Sequence, residues 1–493
     1  MNILAASLPE DAGRRRFLKQ AALAGAGMML PACATPSGPK RTVAIVGGGI
    51  AGLTAAWRLV KAGHAVHLYE AGSRTGGRMF TRRNFNADGQ FVELGAELID
   101  TNHKHIIALA KEVGVKVQNL RRGEQGLDFV WLEDRLRTDH DIPAAFKPLG
   151  AKIAADAEGL YDADGGFTDK ARALDRVSLA AYLKDRGQGV EPWVIQMLIA
   201  AYEPELGARA DQLSCLNLVD FINPDVSKGF QVFGDSDEAW RIHGGNDTLP
   251  TAIMNRLQGK IGLHLGHRLT GIKTHGDSMQ LAFGTKAGMK TAEYERVILA
   301  MPFTVLRGVS GVFDLPISRS KKRCIREMGY GSNVKVFRSF TRRVWRDRVE
   351  GRDYICNGSV FAMEPTYQNV WETSRGQQGE RGIITNLLGG RRGENYSEGM
   401  MAGYLDELDA VFPGLKRAYD GKGAAMNWPK LPFAKGSYSC PFVGQYTWIY
   451  DESPKPALDG RLLFAGEHTS TVSPGFMNGG VESGERAARE AMS

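Results

Sequence analysis

Gly47, Gly49 and Gly52 follow the apolar run Val43-Ala-Ile-Val46 in the spacing G-x-G-x-x-G. Each glycine has a distinct use at that spacing. Gly47 permits the tight turn out of a strand, and Gly49, lacking a Cβ, lets a pyrophosphate approach the backbone. Gly52 lets the next helix pack close to the sheet. Val43 to Val46 read as a buried parallel strand and Leu53 to Lys61 as the helix, whose N-terminal amides face the phosphates. A second strand, Ala65-Val-His-Leu-Tyr69, ends at Glu70, where the fingerprint places an acid. A carboxylate there accepts from both ribose hydroxyls and repels a 2′-phosphate. The chemistry to expect is dinucleotide binding without that phosphate.

Arg74-Thr-Gly-Gly-Arg78 follows the acidic strand end. It resembles the extended fingerprint of FAD-binding oxidoreductases, in which the second glycine pair and its arginine lie along the flavin side of the cofactor. Two blocks near the C-terminus add to it. Gly460-Arg-Leu-Leu-Phe-Ala-Gly-Glu-His-Thr469 reads as a strand entering a glycine turn. Pro474-Gly-Phe-Met-Asn-Gly-Gly-Val-Glu-Ser-Gly484 then leads into a helix expected over Glu485 to Ala491. A glycine-rich helix start suits a ring system that carries negative charge when reduced.

These segments, in this order, resemble the flavin-containing amine oxidase family: monoamine, polyamine and L-amino-acid oxidases. The resemblance spans nearly all of the chain after the N-terminal segment. It implies an α/β fold: a discontinuous Rossmann-like FAD-binding domain with an α+β substrate-binding domain. It also implies FAD contacts at Gly47, Gly49, Ile50, Ala51, Gly52, Glu70, Ala71, Gly77, Arg78, Leu269, Gly466, Glu467 and Met477. Among these, Glu70 would hold the adenosine ribose, the Leu269 backbone the adenine, and Glu467 the ribityl-phosphate region. Gly331-Ser-Asn-Val-Lys335 resembles the segment whose lysine reaches flavin N5 through water, and Trp345 fits the same pattern. Tyr438 and Phe476 stand where the family has two aromatic walls that guide the amine. Some monoamine oxidases attach FAD through a cysteine just before the cage tyrosine. That position is Ser437 here, so non-covalent FAD is expected, with Cys440 close by.

The implied reaction is oxidative deamination of a primary or secondary amine. Hydride passes to flavin N5, the imine hydrolyses, and O2 reoxidises the cofactor to give H2O2. The alternatives are an L-amino-acid oxidase, with basic amino acids among its candidate substrates, and a related FAD desaturase or dehydrogenase. The family's amino-acid oxidases often place an arginine for the substrate carboxylate after the Leu-Gly found here at Leu94-Gly95. This chain has Ala96, Glu97 and Leu98 there. Polyamine oxidases often carry an acid or histidine slightly further on, where Asp100 falls. Glu97 and Asp100 either face a second positive charge on the substrate or serve a turn and helix cap before Asn102.

The 493 residues are 43% hydrophobic and 24% charged, ordinary globular composition and enough for two sizeable cores. No apolar run is long enough for a transmembrane helix. Arg14-Arg-Arg-Phe-Leu-Lys19, followed by the weakly apolar Ala21 to Leu30, resembles a twin-arginine export signal. Leu30-Pro-Ala-Cys33 resembles a lipobox that would lipidate Cys33, while Ala32-Cys33-Ala34 also fits ordinary cleavage. An exported protein, periplasmic or membrane-anchored through Cys33, is expected. The formal charge is +7, and its basic residues are scattered. Lys321-Lys322-Arg323 lacks interleaved aromatics, which argues against nucleic-acid binding. The cysteines show no C-x-x-C pairing, which argues against a metal site.

The sequence divides as 1–34 export segment, 41–98, 236–303 and 433–493 cofactor domain, and 99–235 (mainly helical) and 304–432 substrate domain. Strands are expected at 262–265, from 271, over 295–300, at 334–337 and at 383–387. Helices are expected over 104–113 and much of 143–220.

Overall fold

The computed structural model describes residues 40–493 apart from Glu124 and Lys228; the export motif and Cys33 lie outside the described residues. A five-stranded sheet of wholly parallel strands forms the first layer. Its order is Leu462–Phe464, Arg296–Leu299, Thr42–Val46, Ala65–Glu70 and Gly262–Leu265. Val43, Ala44, Ile45, Ile298 and Leu463 have no solvent exposure. Such continuous burial is why the three strands Thr42–Val46, Arg296–Leu299 and Leu462–Phe464 read as unbroken apolar runs rather than alternating ones. Strands far apart in the chain are therefore neighbours in one sheet.

Two helices cover this sheet, Ile50–Lys61 and Met477–Met492. The second begins at Met477, eight residues before the start expected at Glu485. Gly479, Gly480 and Gly484 lie inside it as packing surface. A Cβ on Gly484 would stand 2.4 Å from the Ala51 carbonyl, and one on Gly480 would stand 2.7 Å from Ile50 Cγ2. Glycine costs a helix about 1 kcal/mol relative to alanine, but here it brings two helices into backbone contact with their N-termini side by side.

The second layer is a seven-stranded sheet in the order Tyr419–Asn427, Val334–Phe340, Gly382–Leu388, Asn369–Glu372, Cys356–Ala362, Leu127–Leu132 and Arg135–Thr138. Its last two strands form a hairpin within the segment read as mainly helical. The turn is Glu133-Asp134, with φ of 57° and 55° at both positions. Such a turn ordinarily carries Asn-Gly, so its residues gave no hairpin signal. The helices Ile142–Ala157, Leu179–Arg186 and Pro192–Leu206 pack against this part of the molecule. A three-stranded antiparallel sheet, Arg268–His275, Ser278–Thr285 and Gly288–Tyr294, flanks the parallel one. Among the described residues no helix is long and apolar enough to cross a membrane. Cys215, Cys324, Cys356 and Cys440 are buried free thiols.

Candidate active site

A cavity of about 880 Å³ runs from the carboxyl ends of the parallel strands to the seven-stranded sheet. Its first half is lined by Gly47, Gly49, Ile50, Ala51, Glu70, Ala71, Gly77, Arg78, Leu269, Gly466, Glu467 and Met477. Ligands of open α/β sheets bind at this edge because strand ends and helix N-termini meet there. The three fingerprint glycines differ in what surrounds them. Gly47 has φ +115° and a Cβ there would fall 2.4 Å from the Ala300 carbonyl. A Cβ on Gly52 would fall 2.0 Å from the Gly47 carbonyl; Gly52 does not line the cavity and sets helix-to-strand distance instead. A Cβ on Gly49 would meet nothing within 4 Å. That open cradle, beside the N-termini of two helices, fits the pyrophosphate of a dinucleotide.

Glu70 closes its strand with Oε2 accepting from Gly48 N (2.8 Å) and Oε1 from Gly72 N (2.6 Å). Its carboxylate thereby fixes the loop on both sides and still faces the cavity, with lone pairs left for ribose hydroxyls. Glu467 is the second acidic anchor. Arg78 Nη1 donates to its Oε1 at 2.8 Å, and Ser439 Oγ and Gly475 N donate to Oε2 at 2.7 and 2.9 Å. Burial alone would raise this carboxyl, but the Arg78 guanidinium and the Ser439 hydroxyl hold it below its ordinary value. Arg78 also donates to the Ser437 carbonyl at 2.6 Å, so one arginine ties the fingerprint loop to the Glu467 turn and to the segment that carries Tyr438.

The second half of the cavity holds Lys335, Tyr438 and Phe476, together with Trp371 and Trp428. The Tyr438 hydroxyl donates to the Glu205 carbonyl. Burial and neighbouring carboxylates push its phenol well above the ordinary value, so it stays neutral. The Phe476 ring rests on His103, with centroids 5.0 Å apart. Ser437 lines the cavity and donates to Asn333 Oδ1, while Cys440 is buried away from it.

Three placements refine the sequence reading. Lys335 was expected to reach a water beside the cofactor. In the structure its Nζ donates to the Glu93 carbonyl (3.1 Å), the Gly95 carbonyl (3.0 Å) and Glu97 Oε2 (2.7 Å). An ammonium has three donors, and protein atoms take them all. Glu97 lines the cavity, but Lys335 neutralises it, with Arg241 a further 3.9 Å away. Asp100 accepts from Ser236 Oγ and the Glu238 amide and does not line the cavity. Its carboxylate holds the loop before Trp240.

Sequence reasoning missed Trp371, Trp428, Arg241, Glu205 and Glu238, all on the cavity wall. Arg241, with no exposure, donates to the carbonyls of Thr373 (2.9 Å) and Arg375 (2.8 Å). Glu205, at the end of the strongly apolar helix Pro192–Leu206, was the readable signal, because a charge there needs a reason. Glu238 lies in the run Asp235-Ser-Asp-Glu238, which looks like a solvated loop.

The family model for flavin containing amine oxidoreductase matches residues 50–492. The chain belongs to that family. It is 25% identical over 489 residues to the flavin-dependent L-tryptophan oxidase RebO of Lentzea aerocolonigenes, covering 91% of this chain and 97% of that protein. It is 27% identical over 483 residues to the L-amino-acid oxidase of Mus musculus, covering 92% and 70%. Among solved structures, an engineered putrescine oxidase superposes with a TM-score of 0.74 at 21% identity, over 91% of this chain and 98% of that one. The cofactor is FAD, and the protein is an FAD-dependent oxidoreductase acting on amines or amino acids.

Proposed function

We propose that the protein oxidises an amine lacking an obligatory α-carboxylate, with the reacting C–N group between Tyr438 and Phe476. One observation carries this reading: a single cavity joins the glycine cradle to two aromatic walls, while the arginines at its substrate end, Arg121, Arg241 and Arg375, each donate to protein carbonyls. Arg241 donates to two carbonyls, Arg375 to the Asn357 carbonyl and Ser359, and Arg121 to the Asp237 carbonyl. The segment Gly95-Ala96-Glu97-Leu98 adds no arginine. The bound flavin supplies the electron-accepting chemistry. The chain's own residues do the rest. Tyr438 and Phe476 present ring faces that orient an amine and exclude water. Lys335 cancels the Glu97 charge close to the reacting region. Glu467 and Arg78 lock the loops that hold the cofactor.

Peroxide formation should be assayed with monoamines, diamines and L-amino acids, alongside an artificial electron acceptor. Turnover with amines and not with the matching amino acids supports the proposal; preference for amino acids overturns it.

For location we propose twin-arginine export with a lipid anchor on Cys33. The support is the motif Arg14-Arg15-Arg16-Phe17-Leu18-Lys19 and the Leu30-Pro-Ala-Cys33 box, and the route suits a protein that folds around its cofactor first. Arg14→Lys with Arg15→Lys should leave the enzyme in the cytoplasm. Cys33→Ala should release it from membranes, and continued membrane association would reject the anchor.

A further inference from the structure

We propose that Glu205 and Glu238 hold a second cationic group of the substrate, making a diamine or polyamine the preferred class. The inference rests on the cavity being the substrate site of an amine oxidase. It concerns residues that no sequence motif singled out.

Glu205 and Glu238 line the same cavity as the two aromatic walls. Glu205 ends the helix Pro192–Leu206, and its carbonyl accepts from the Tyr438 hydroxyl. The Glu238 amide donates to Asp100 at 2.8 Å. The Asp100 amide in turn donates to Nδ1 of His103 at 3.0 Å, and the His103 ring lies on Phe476. A cation at these carboxylates and an amine beside the rings would therefore occupy one cavity.

Four other carboxylates on this part of the wall are already committed, and Asp235 is not free either. Glu97 pairs with Lys335, Glu372 with Arg343 and Arg346, Asp128 accepts from Asn357, and Asp237 accepts from Thr101. Glu205 and Glu238 have neither a hydrogen bond to their carboxylates nor an ion pair among the described residues. Both are half-buried, and both line the cavity.

Burial pushes Glu205 up to about 8, with Glu238 and Asp100 adding to it. Burial likewise pushes Glu238 up to about 7. Asp100, Asp128 and Glu97 repel its charge, and Arg121 partly offsets them. Two like charges desolvated together cannot both ionise cheaply. What the pair lacks is a cation. A monoamine supplies one positive centre, which the aromatic walls take. A diamine supplies a second, which lets both carboxylates ionise as it binds.

The test uses FAD-loaded enzyme and two ligands of equal carbon count, an n-alkylamine and the α,ω-diamine. Anaerobic bleaching of the flavin gives half-saturation and limiting rate for each. The wild type should show the lower half-saturation with the diamine. Glu205→Gln and Glu238→Gln should raise the diamine's half-saturation about tenfold more than the monoamine's, with the loss mainly in half-saturation. Gln is nearly isosteric with the protonated acid, and FAD content with thermal melting reports whether each variant is folded. Equal shifts for both ligands, or no diamine preference in the wild type, overturn the proposal. If neither amine bleaches the wild-type flavin, the amine-oxidase reading fails instead, and this inference falls with it.

Discussion

Lys335 and Glu97 are buried partners 2.7 Å apart. Removing one member of such a pair leaves a desolvated charge behind, which typically costs about 3–5 kcal/mol. Arg241 at 3.9 Å gives Glu97 some relief, so Lys335→Met should cost about 3 kcal/mol in denaturant unfolding of the FAD-loaded enzyme. Adding Glu97→Gln should recover most of that loss. A single-variant cost no larger than a surface pair's, under about 1 kcal/mol, would show that the pair does not anchor the strand. At this scale the sequence was most legible where a motif fixes a role, as at Gly49, Glu70, Arg78 and Glu467. It was least legible where a role depends on partners distant in the chain. Lys335 and Glu97 were separately readable as functional charges. Nothing in either segment says that they neutralise each other.

Strand-turn-helix geometry separates two glycines that look alike in the sequence. Gly49→Ala adds a Cβ where nothing lies within 4 Å, so the apoprotein should fold normally while FAD is retained poorly. Gly52→Ala forces a Cβ to within 2.0 Å of the Gly47 carbonyl and should push the helix off the sheet, lowering both stability and soluble yield. Apoprotein melting temperature and flavin content after gel filtration separate the two outcomes. Equal effects of both substitutions on the apoprotein would mean that Gly49 is also a packing residue. The first βαβ unit was legible because burial, turn chemistry and helix start all agree there. The helix Met477–Met492 was placed too late because glycines read locally as a turn, whereas here they serve contact with Ile50 and Ala51. The hairpin over 127–138 was missed because Glu133 and Asp134 adopt positive φ under tertiary constraint.

Across the whole molecule, acidic groups kept protonated by burial couple stability to pH. Glu93 is pushed up to about 7 and Glu205 to about 8, each first by burial. Such groups hold a proton in the folded state that the unfolded chain releases near the ordinary carboxyl value. Their contribution is full below that value and is lost as pH rises through the folded one, at up to about 1.4 kcal/mol per pH unit for each proton. The FAD-loaded enzyme should therefore lose thermal stability between about pH 5 and pH 8, and Glu205→Gln should flatten that fall. An unchanged slope would mean that Glu205 is ionised in the folded state. The central strands of the parallel sheet, drawn from distant segments, were legible because they carry continuous apolar runs. The acidic end of the cavity was not, because it forms only when the helix ending at Leu206 and the loop before Trp240 converge. The central claim is that this cavity binds FAD and an amine together. It is tested most directly by anaerobic mixing of the purified yellow enzyme with amines and their α-carboxylated counterparts, followed by stopped-flow absorbance. The account predicts rapid saturable bleaching by amines, with the carboxylated forms much slower. Bleaching by the amino acids alone, or by neither class, would contradict it.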